Sequence, residues 1–369
     1  MKNLQKLMSL LIPVSILFIS CEGPQGQAGR DANETCMECH NRDVVDKVEK
    51  QYTHSEHFLG EAFEEAGART NCAPCHTTDG FLYVVEHATP VTNYVVDAAT
   101  ASLPGRLECY TCHSKIHTTF TFDDFELTTT DPVPMLMWAG KKTLDFQAET
   151  SNLCAKCHQP RQVAGQAGTI NYDVLVSEPN TNYTLSTINY RTGVHYGTES
   201  AMNGGQGGIE FGTDYDRNHP HSSTASCATC HMAEPSGVSG GHSFIINFNG
   251  CNVQGCHSDM DQNKVSEFTE EFDTLLETLA NELNAIGGAN PILQRDPADN
   301  EYHGYIDIFD AQANPTGYWG AQGNPPFPML TNEQFGAFLN FQLLVRDGSH
   351  GIHNPDYMMD LLEKTVEAL

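Results

Sequence analysis

The sequence predicts a mainly α-helical protein in which much of the chain forms irregular loops. A short motif recurs between Cys36 and His257 and leaves little chain for regular sheets. After His257 the chain has no cysteine, and its apolar residues recur at helical spacing. Only residues 169–190 hold plausible strands, which would pair as one small hairpin. We therefore expect short helices and loops first and longer helices near the end.

The recurring motif is Cys-x-x-Cys-His, which occurs five times, and a sixth copy has two extra residues between its cysteines. Roughly 0.02 copies would be expected by chance from the numbers of cysteines and histidines. Two cysteines at this spacing bind the vinyl groups of a haem as thioethers, and the next histidine becomes the proximal ligand of the iron. Structural zinc is the alternative for paired cysteines, but it does not explain a histidine after every pair.

The motifs predict that the chain wraps around six covalent c-type haems. The expected thioether cysteines are Cys36, Cys39, Cys72, Cys75, Cys109, Cys112, Cys154, Cys157, Cys227, Cys230, Cys251 and Cys256. The expected proximal histidines are His40, His76, His113, His158, His231 and His257. In the sixth motif the two extra residues must bulge away from the porphyrin, and Gly250 and Gly255 supply the backbone freedom for this.

The N-terminus has the pattern of an export signal. In residues 1–20, two lysines precede an apolar run that is too short to span a bilayer. The sequence Leu-Phe-Ile-Ser before Cys21 resembles a bacterial lipobox, so we expect Cys21 to carry a lipid. An ordinary signal peptide with a spare cysteine is the alternative. Residues 21–35 are predicted to form a flexible tether.

The number of cysteines agrees with both expectations. Of 13 cysteines, Cys21 would be lipidated, which leaves 12, two for each of six haems. No thiol would then remain for a disulfide, although disulfides are common in exported proteins.

The formal charge of −28 makes nucleic acid an unsuitable partner. The acidic residues are scattered along the chain, which is typical of a solvated surface. Electrostatic steering of a basic redox partner is the alternative, and the sequence does not separate the two.

The remaining chain is expected to divide into a hexahaem domain at 36–257 and a haem-free helical region at 258–369. The latter should hold a helix at 265–286 ended by two glycines, a second begun by a capping box of Thr331 and Gln334, and a third begun at Asn354 and Pro355. A histidine from this region is expected to bind a haem iron.

Eleven histidines lie outside the motifs, which exceeds the six needed to close the second axial position of every iron. Here the chain resembles the multihaem c-type cytochromes of bacterial electron-transfer chains, several of them outer-membrane lipoproteins. The haem motifs carry most of the resemblance, with Ser55-Glu56-His57, Val194-His195-Tyr196-Gly197 and Gly240-Gly241-His242. The segment 347–355 is similar to one that brings a distal histidine to the haems of nitrite-reductase-like cytochromes.

This resemblance implies six candidate distal ligands, namely His57, His117, His195, His221, His242 and His353. His353 also has a local argument, because it precedes an N-cap asparagine and a proline that hold it rigidly. His117 follows His113 by four residues, so it should serve a neighbouring haem. His54 and His219 are the alternatives to His57 and His221.

The expected function is electron relay through bis-histidine haems at the cell envelope, in respiratory or extracellular electron transfer, with no catalytic residues. The expected partners are redox proteins of the envelope, and the membrane through the lipid on Cys21. Nucleic acid is not an expected partner. Two alternatives stay open. One is a redox enzyme of the nitrite or hydroxylamine type with one open haem. The other is a structural subunit that forms a haem filament, a homo-oligomer or a porin conduit in the outer membrane.

Overall fold

The computed structural model describes residues 36–37, 39–40, 44–88, 94, 105–161, 163, 170–184 and 188–369. The chain forms two compact units, Met1–Asp46 and Lys47–Leu369. The expected signal peptide at 1–20, the lipidation site Cys21 and the tether at 21–35 lie outside the described residues. The division at residue 258 therefore stays a prediction, since one unit contains residues on both sides of it.

The described residues are mainly helical, as the sequence predicts. The α-helices are α1 (Val45–Tyr52), α2 (Glu56–Leu59), α3 (Ala62–Ala66), α4 (Ala73–His76), α5 (Thr78–Glu86), α6 (Cys109–Cys112), α7 (Thr150–Ala155), α8 (Asp173–Ser177), α9 (Glu199–Asn203), α10 (Pro220–Ser223), α11 (Cys227–His231), α12 (Phe248–Cys251), α13 (Gln262–Ala285), α14 (Asn332–Asp347) and α15 (Pro355–Ala368). Single 3₁₀ turns lie at Phe122–Phe125 and Gly241–Ser243.

Two small antiparallel sheets complete the secondary structure of the described residues. Strand β1 (Val133–Pro134) pairs with β2 (Thr143–Leu144), and β3 (Leu293–Arg295) pairs with β4 (Tyr302–Ile306). Val133 lies opposite Leu144, and Leu293 lies opposite Ile306, so each sheet buries an apolar pair.

The hairpin expected at 169–190 is wrong. Residues Asp173–Ser177 form helix α8, which directs the buried side chains of Tyr172 and Leu175 to one face. Asn332 Nδ2 donates to the carbonyl oxygens of Val174 and Glu178 at 3.2 and 2.9 Å, and so supplies hydrogen bonds to carbonyl groups of this short helix and its C-terminal end. The contact with α14 therefore overrides the strand propensity of this segment.

The three predicted C-terminal helices are confirmed. Helix α13 begins at Asp261, whose side chain accepts from two backbone amides, and it ends one residue before Ile286. The capping box of Thr331 and Gln334 begins α14, and Gly348 ends it in the left-handed conformation (φ 67°). Asn354 caps α15.

Helix α14 lies at the centre of the main hydrophobic core. Its residues Phe335, Phe338 and Leu339 are at most 1% exposed. The same core cluster contains apolar residues from 133 to 362, so it joins the C-terminal helices to the chain between the fourth and fifth motifs. Each fully buried side chain of this size contributes about 1.5–3 kcal/mol. The core thus fixes the ends of α14 relative to the motifs.

Among the described residues, no helix has both the length and the apolar character needed to cross a membrane.

Candidate haem sites

Each described motif folds as a tight turn that places its two cysteines together. In α6 the cysteines are three residues apart on a helix, so both side chains lie on one face. The turn closes with a bond from the backbone amide of the histidine to the carbonyl oxygen of the first cysteine. This bond is 2.8 Å for His40 and Cys36, 3.2 Å for His76 and Cys72, 2.9 Å for His113 and Cys109, and 2.9 Å for His158 and Cys154.

The sixth motif restores the same closure despite its two extra residues. The amide of His257 donates to the carbonyl oxygen of Cys251 at 3.2 Å. Gly255 takes a φ of 94°, which side chains rarely adopt, and so makes the expected bulge. At Gly250 a Cβ would lie 2.9 Å from the carbonyl oxygen of Thr229, so close packing on α11 requires glycine there.

The structure places five motif histidines opposite five candidate distal histidines, with the two rings of each pair T-shaped or tilted. The ring centres are 6.0 Å apart for His158 and His57, 6.3 Å for His76 and His195, 6.4 Å for His113 and His242, 6.3 Å for His231 and His353, and 6.0 Å for His257 and His221. Every pair joins residues from different parts of the chain.

These separations fit two imidazoles on opposite sides of one metal ion. An imidazole nitrogen binds a transition metal at about 2.0–2.1 Å and lies about 1.1 Å from its ring centre, so opposed rings are centred about 6.3 Å apart. The angles between the paired ring planes range from 35° to 77°. Such variation is compatible with axial ligation, because rotation about the metal–nitrogen axis leaves both bonds intact.

Hydrogen bonds orient many of these histidines through the Nδ1 atom. Nδ1 lies 2.7 Å from the carbonyl oxygen of Phe125 in His113, 2.9 Å from that of Phe244 in His231, 2.7 Å from that of Ile352 in His221, and 2.8 Å from that of Tyr196 in His195. A protonated Nδ1 that donates to a carbonyl leaves Nε2 unprotonated and available for iron.

Two of the paired histidines contact carboxylates instead. His353 Nδ1 lies 2.7 Å from Asp347 Oδ1, and His158 Nδ1 lies 3.3 Å from Glu199 Oε2. Burial lowers the pKa of both histidines, but the adjacent carboxylates outweigh burial and raise the pKa above its ordinary value. A carboxylate on Nδ1 also makes the imidazole a more basic metal ligand.

Burial keeps other members of the pairs neutral. It lowers the pKa of His57 to about 4 and that of His195 to about 4. Burial also lowers the pKa of His76, His231 and His242. The neutral imidazole is the form that binds a metal, so these histidines are in the correct protonation state at neutral pH.

Contacts between motifs show which of them are neighbours. The thiol of Cys75 donates to the carbonyl oxygen of Lys156 at 3.9 Å, the thiol of Cys157 donates to that of Pro74 at 4.0 Å, and the amide of Cys227 donates to Ser151 Oγ, one turn before Cys154, at 3.1 Å. The neighbouring thiol of Cys154 lowers the pKa of Cys227 to about 6, and that of Cys227 raises the pKa of Cys154. The fourth motif therefore lies between the second and the fifth. The described cysteines are free, so none of them forms a disulfide.

Phe244 links three of the histidine pairs. Its ring centre is 5.0 Å from that of His57 and 6.1 Å from that of His242, and its carbonyl oxygen accepts from His231. The residue takes a left-handed conformation (φ 58°), which directs the ring and the carbonyl to different pairs.

The other histidines have different contacts. His219 Nδ1 accepts from the amide of His221, and His87 stacks on Tyr83. His303 and His350 bond to Asp299 and Asp273. His54 is exposed. Of these two alternatives, His57 and His221 are the histidines that lie opposite a motif histidine, and their role as distal ligands stays a prediction.

His117 lies in the left-handed region (φ 65°), with its ring centre 5.9 Å from that of Phe120. Its expected role as a ligand to a haem next to that of His113 stays a prediction. His113 itself faces His242 and not His117.

Sequence reasoning missed Glu199, Phe244 and the role of Asp347. Asp347 stood inside the segment that resembles known cytochromes, but nothing in its spacing paired it with His353. Glu199 lies 41 residues from His158 and has no local signal. Among the described residues, no group of three or more histidine, cysteine or acidic side chains is arranged to hold a metal ion without a haem.

No protein-family profile matches this chain. No curated protein matches it either. A solved structure, that of the outer cell wall cytochrome OcwA, is similar over 86% of this chain and 49% of that protein, with 16% identity and a TM-score of 0.47. The chain spans about half the length of that protein.

Proposed function

We propose that this protein is a multihaem c-type cytochrome that carries six haems and relays electrons at the cell envelope. The observation that carries the proposal is the set of five histidine pairs, each with its ring centres 6.0–6.4 Å apart and each containing the histidine of a haem motif. A bound haem supplies reversible one-electron oxidation and reduction of its iron.

The residues of each site have three tasks. The paired cysteines hold the macrocycle covalently, which keeps it in place without a large pocket. At the five motifs with an opposed histidine, the two histidines would hold the iron from both sides and leave no position open for a substrate. The Nδ1 partners, such as Phe125 and Asp347, fix the orientation of the imidazoles and adjust their basicity. This arrangement suits electron transfer, in which no bond to the iron is made or broken.

The contacts between motifs support a continuous relay. The cysteines of the second and fourth motifs bond to each other's backbone, and the amide of Cys227 bonds to Ser151 beside the fourth motif, so haems bound at the second, fourth and fifth motifs would be close neighbours. Short distances between haems favour transfer from one to the next.

We also propose that the chain is exported and anchored by a lipid on Cys21, with redox proteins of the envelope as its partners. The signal pattern and the lipobox-like sequence before Cys21 support this. A respiratory or extracellular role follows from such a location. Labelling with a radioactive fatty acid, compared between wild type and Cys21→Ala, tests the anchor.

Haem counting tests the central proposal. The mature protein, purified from a host that makes c-type cytochromes, should gain the mass of six haems and give a pyridine haemochrome value of six per chain. Low-temperature electron paramagnetic resonance of the oxidised protein should show low-spin iron only. A mass without added haem, or with zinc instead, would refute the proposal. A high-spin signal with carbon monoxide binding at one haem in the wild type would favour the redox enzyme.

A further inference from the structure

The last turn of helix α14 directs opposite charges to two different histidine pairs. Arg346 and Asp347 are consecutive residues, and both are buried, at 7% and 4% exposure. Consecutive residues on an α-helix point about 100° apart. Arg346 therefore lies over the ring of Tyr196, the neighbour of His195, while Asp347 contacts His353.

Arg346 carries a positive charge that no carboxylate of the described residues balances, next to the pair of His76 and His195. Its guanidinium lies 4.6 Å from the ring centre of Tyr196, the neighbour of His195, and donates to the carbonyl oxygens of His303 and Gly304 at 3.2 and 2.9 Å. Within the described part of the chain, no carboxylate forms an ion pair with it. A buried cation without a counter-charge is costly, so it acts strongly on its surroundings.

A second cation faces the same pair. Arg161 Nη1 lies 3.8 Å from Cys72 Sγ, and the charge of Arg161 acts on both His76 and His195. Arg161 and Arg346, the charged side chains that lower the pKa of His76 or His195, are thus both positive.

The fourth and fifth motifs face carboxylates. Asp347 Oδ1 contacts His353 Nδ1 at 2.7 Å, with its side chain fully enclosed. Glu199 Oε2 contacts His158 Nδ1, and the charge of Glu199 also acts on His231 and His353. Both carboxylates increase the basicity of an axial histidine.

We infer that the haem held by the motif at 72–76 has a higher reduction potential than the haems held at 154–158 and 227–231. This inference rests on the proposed function. Reduction adds one electron to the site and changes no bond, so adjacent guanidinium groups favour it, whereas carboxylates and more basic ligands oppose it. Because the fourth motif lies between the other two, this ordering would favour electron flow from the fifth motif (227–231) towards the second (72–76).

Potentiometric titration of the full-length protein with all haems bound tests this ordering. Arg346→Gln should lower the potential of one haem and Asp347→Asn should raise that of another. We expect each equilibrium to change tenfold or more, which is about 59 mV for one electron. In the wild type, the haem that responds to Arg346→Gln should titrate at the higher potential. Arg295→Gln and Asp310→Asn are matched controls, because neither residue acts on a paired histidine, and they should move no potential.

Arg161→Gln tests the same sign without altering the core, should Arg346→Gln fail to fold. If both arginine variants leave every potential in place, or if Asp347→Asn lowers one, the ordering is wrong while the cytochrome assignment stands. A wild-type protein without haem would refute the proposed function instead.

Discussion

Replacement of His57 by alanine should open one haem and leave the others closed. His57 faces His158 with ring centres 6.0 Å apart, and burial lowers the pKa of His57 to about 4. His54 lies three residues earlier and is exposed, so His54→Ala is the matched control. Both variants remove an imidazole from the same short stretch of chain, but only His57→Ala removes a ring that lies opposite a motif histidine.

The expected magnitude follows from the number of motifs. The proposed haem attachment is through the cysteines of the motifs, which this variant keeps, so the haem content of His57→Ala should be unchanged. Carbon monoxide should bind about one sixth of the ferrous haem, since one iron in six loses its distal ligand. The variant also loses the contact between His57 and Phe244, whose ring centres are 5.0 Å apart. This loss should lower the free energy of unfolding by about 0.5–1.5 kcal/mol, the value of one aromatic pair.

The assay is a carbon monoxide difference spectrum of the reduced protein, normalised to the pyridine haemochrome. The oxidised variant should also show a high-spin signal that added imidazole removes. Equal carbon monoxide binding in His54→Ala and His57→Ala, or none in either, would refute the assignment of His57 as a distal ligand.

Three further predictions concern stability. Leu339→Ala should lower the free energy of unfolding by about 2–5 kcal/mol, because Leu339 is fully buried, whereas Met329→Ala at a 68% exposed position should change it by less than about 0.5 kcal/mol; denaturant titration compares them. Burial raises the pKa of Glu210, but the hydrogen bonds from Arg217 outweigh burial and hold this pKa below its ordinary value. Ionised Glu210 therefore stabilises the fold above about pH 4.5, and this stabilisation is lost as the pH falls through the lower pKa of the folded state. Glu210→Gln should cost about 0.5–1 kcal/mol at pH 7 and nothing in acid, and equal melting-temperature losses at pH 3 and pH 7 would contradict this. Asp261→Ala should cost about 1 kcal/mol, because its carboxylate accepts from two backbone amides at the start of α13; thermal melting followed by circular dichroism measures it, and an unchanged melting temperature would count against the cap.

The helices near the C-terminus could be predicted because their signals are local. The capping box at Thr331 and the N-cap at Asn354 depend on residues within one turn, and both form as expected. The segment around Leu175 could not be predicted in this way. Its strand-like composition was overridden by Asn332, which is more than 150 residues away and satisfies the carbonyl groups of the helical turn.

The residues of the candidate sites also separate into those that local sequence predicts and those that only the fold brings together. The thioether cysteines and proximal histidines are adjacent in sequence, so spacing alone was enough to propose them. The distal candidates came from resemblance, and the sequence did not say which would face which motif. The structure places His242, which lies in the 3₁₀ turn at Gly241–Ser243, opposite His113 and not opposite His231, which is nearer in sequence.

By itself the sequence determined where covalent haem attachment is proposed, since six cysteine pairs with adjoining histidines have the spacing of haem-attachment motifs. Only the tertiary structure decided which imidazoles oppose each other, which motifs are neighbours, and where charges such as Arg346 and Asp347 are directed. Attachment depends on a few consecutive residues, whereas ligand pairing and electrostatic tuning depend on groups that packing brings together from distant parts of the chain.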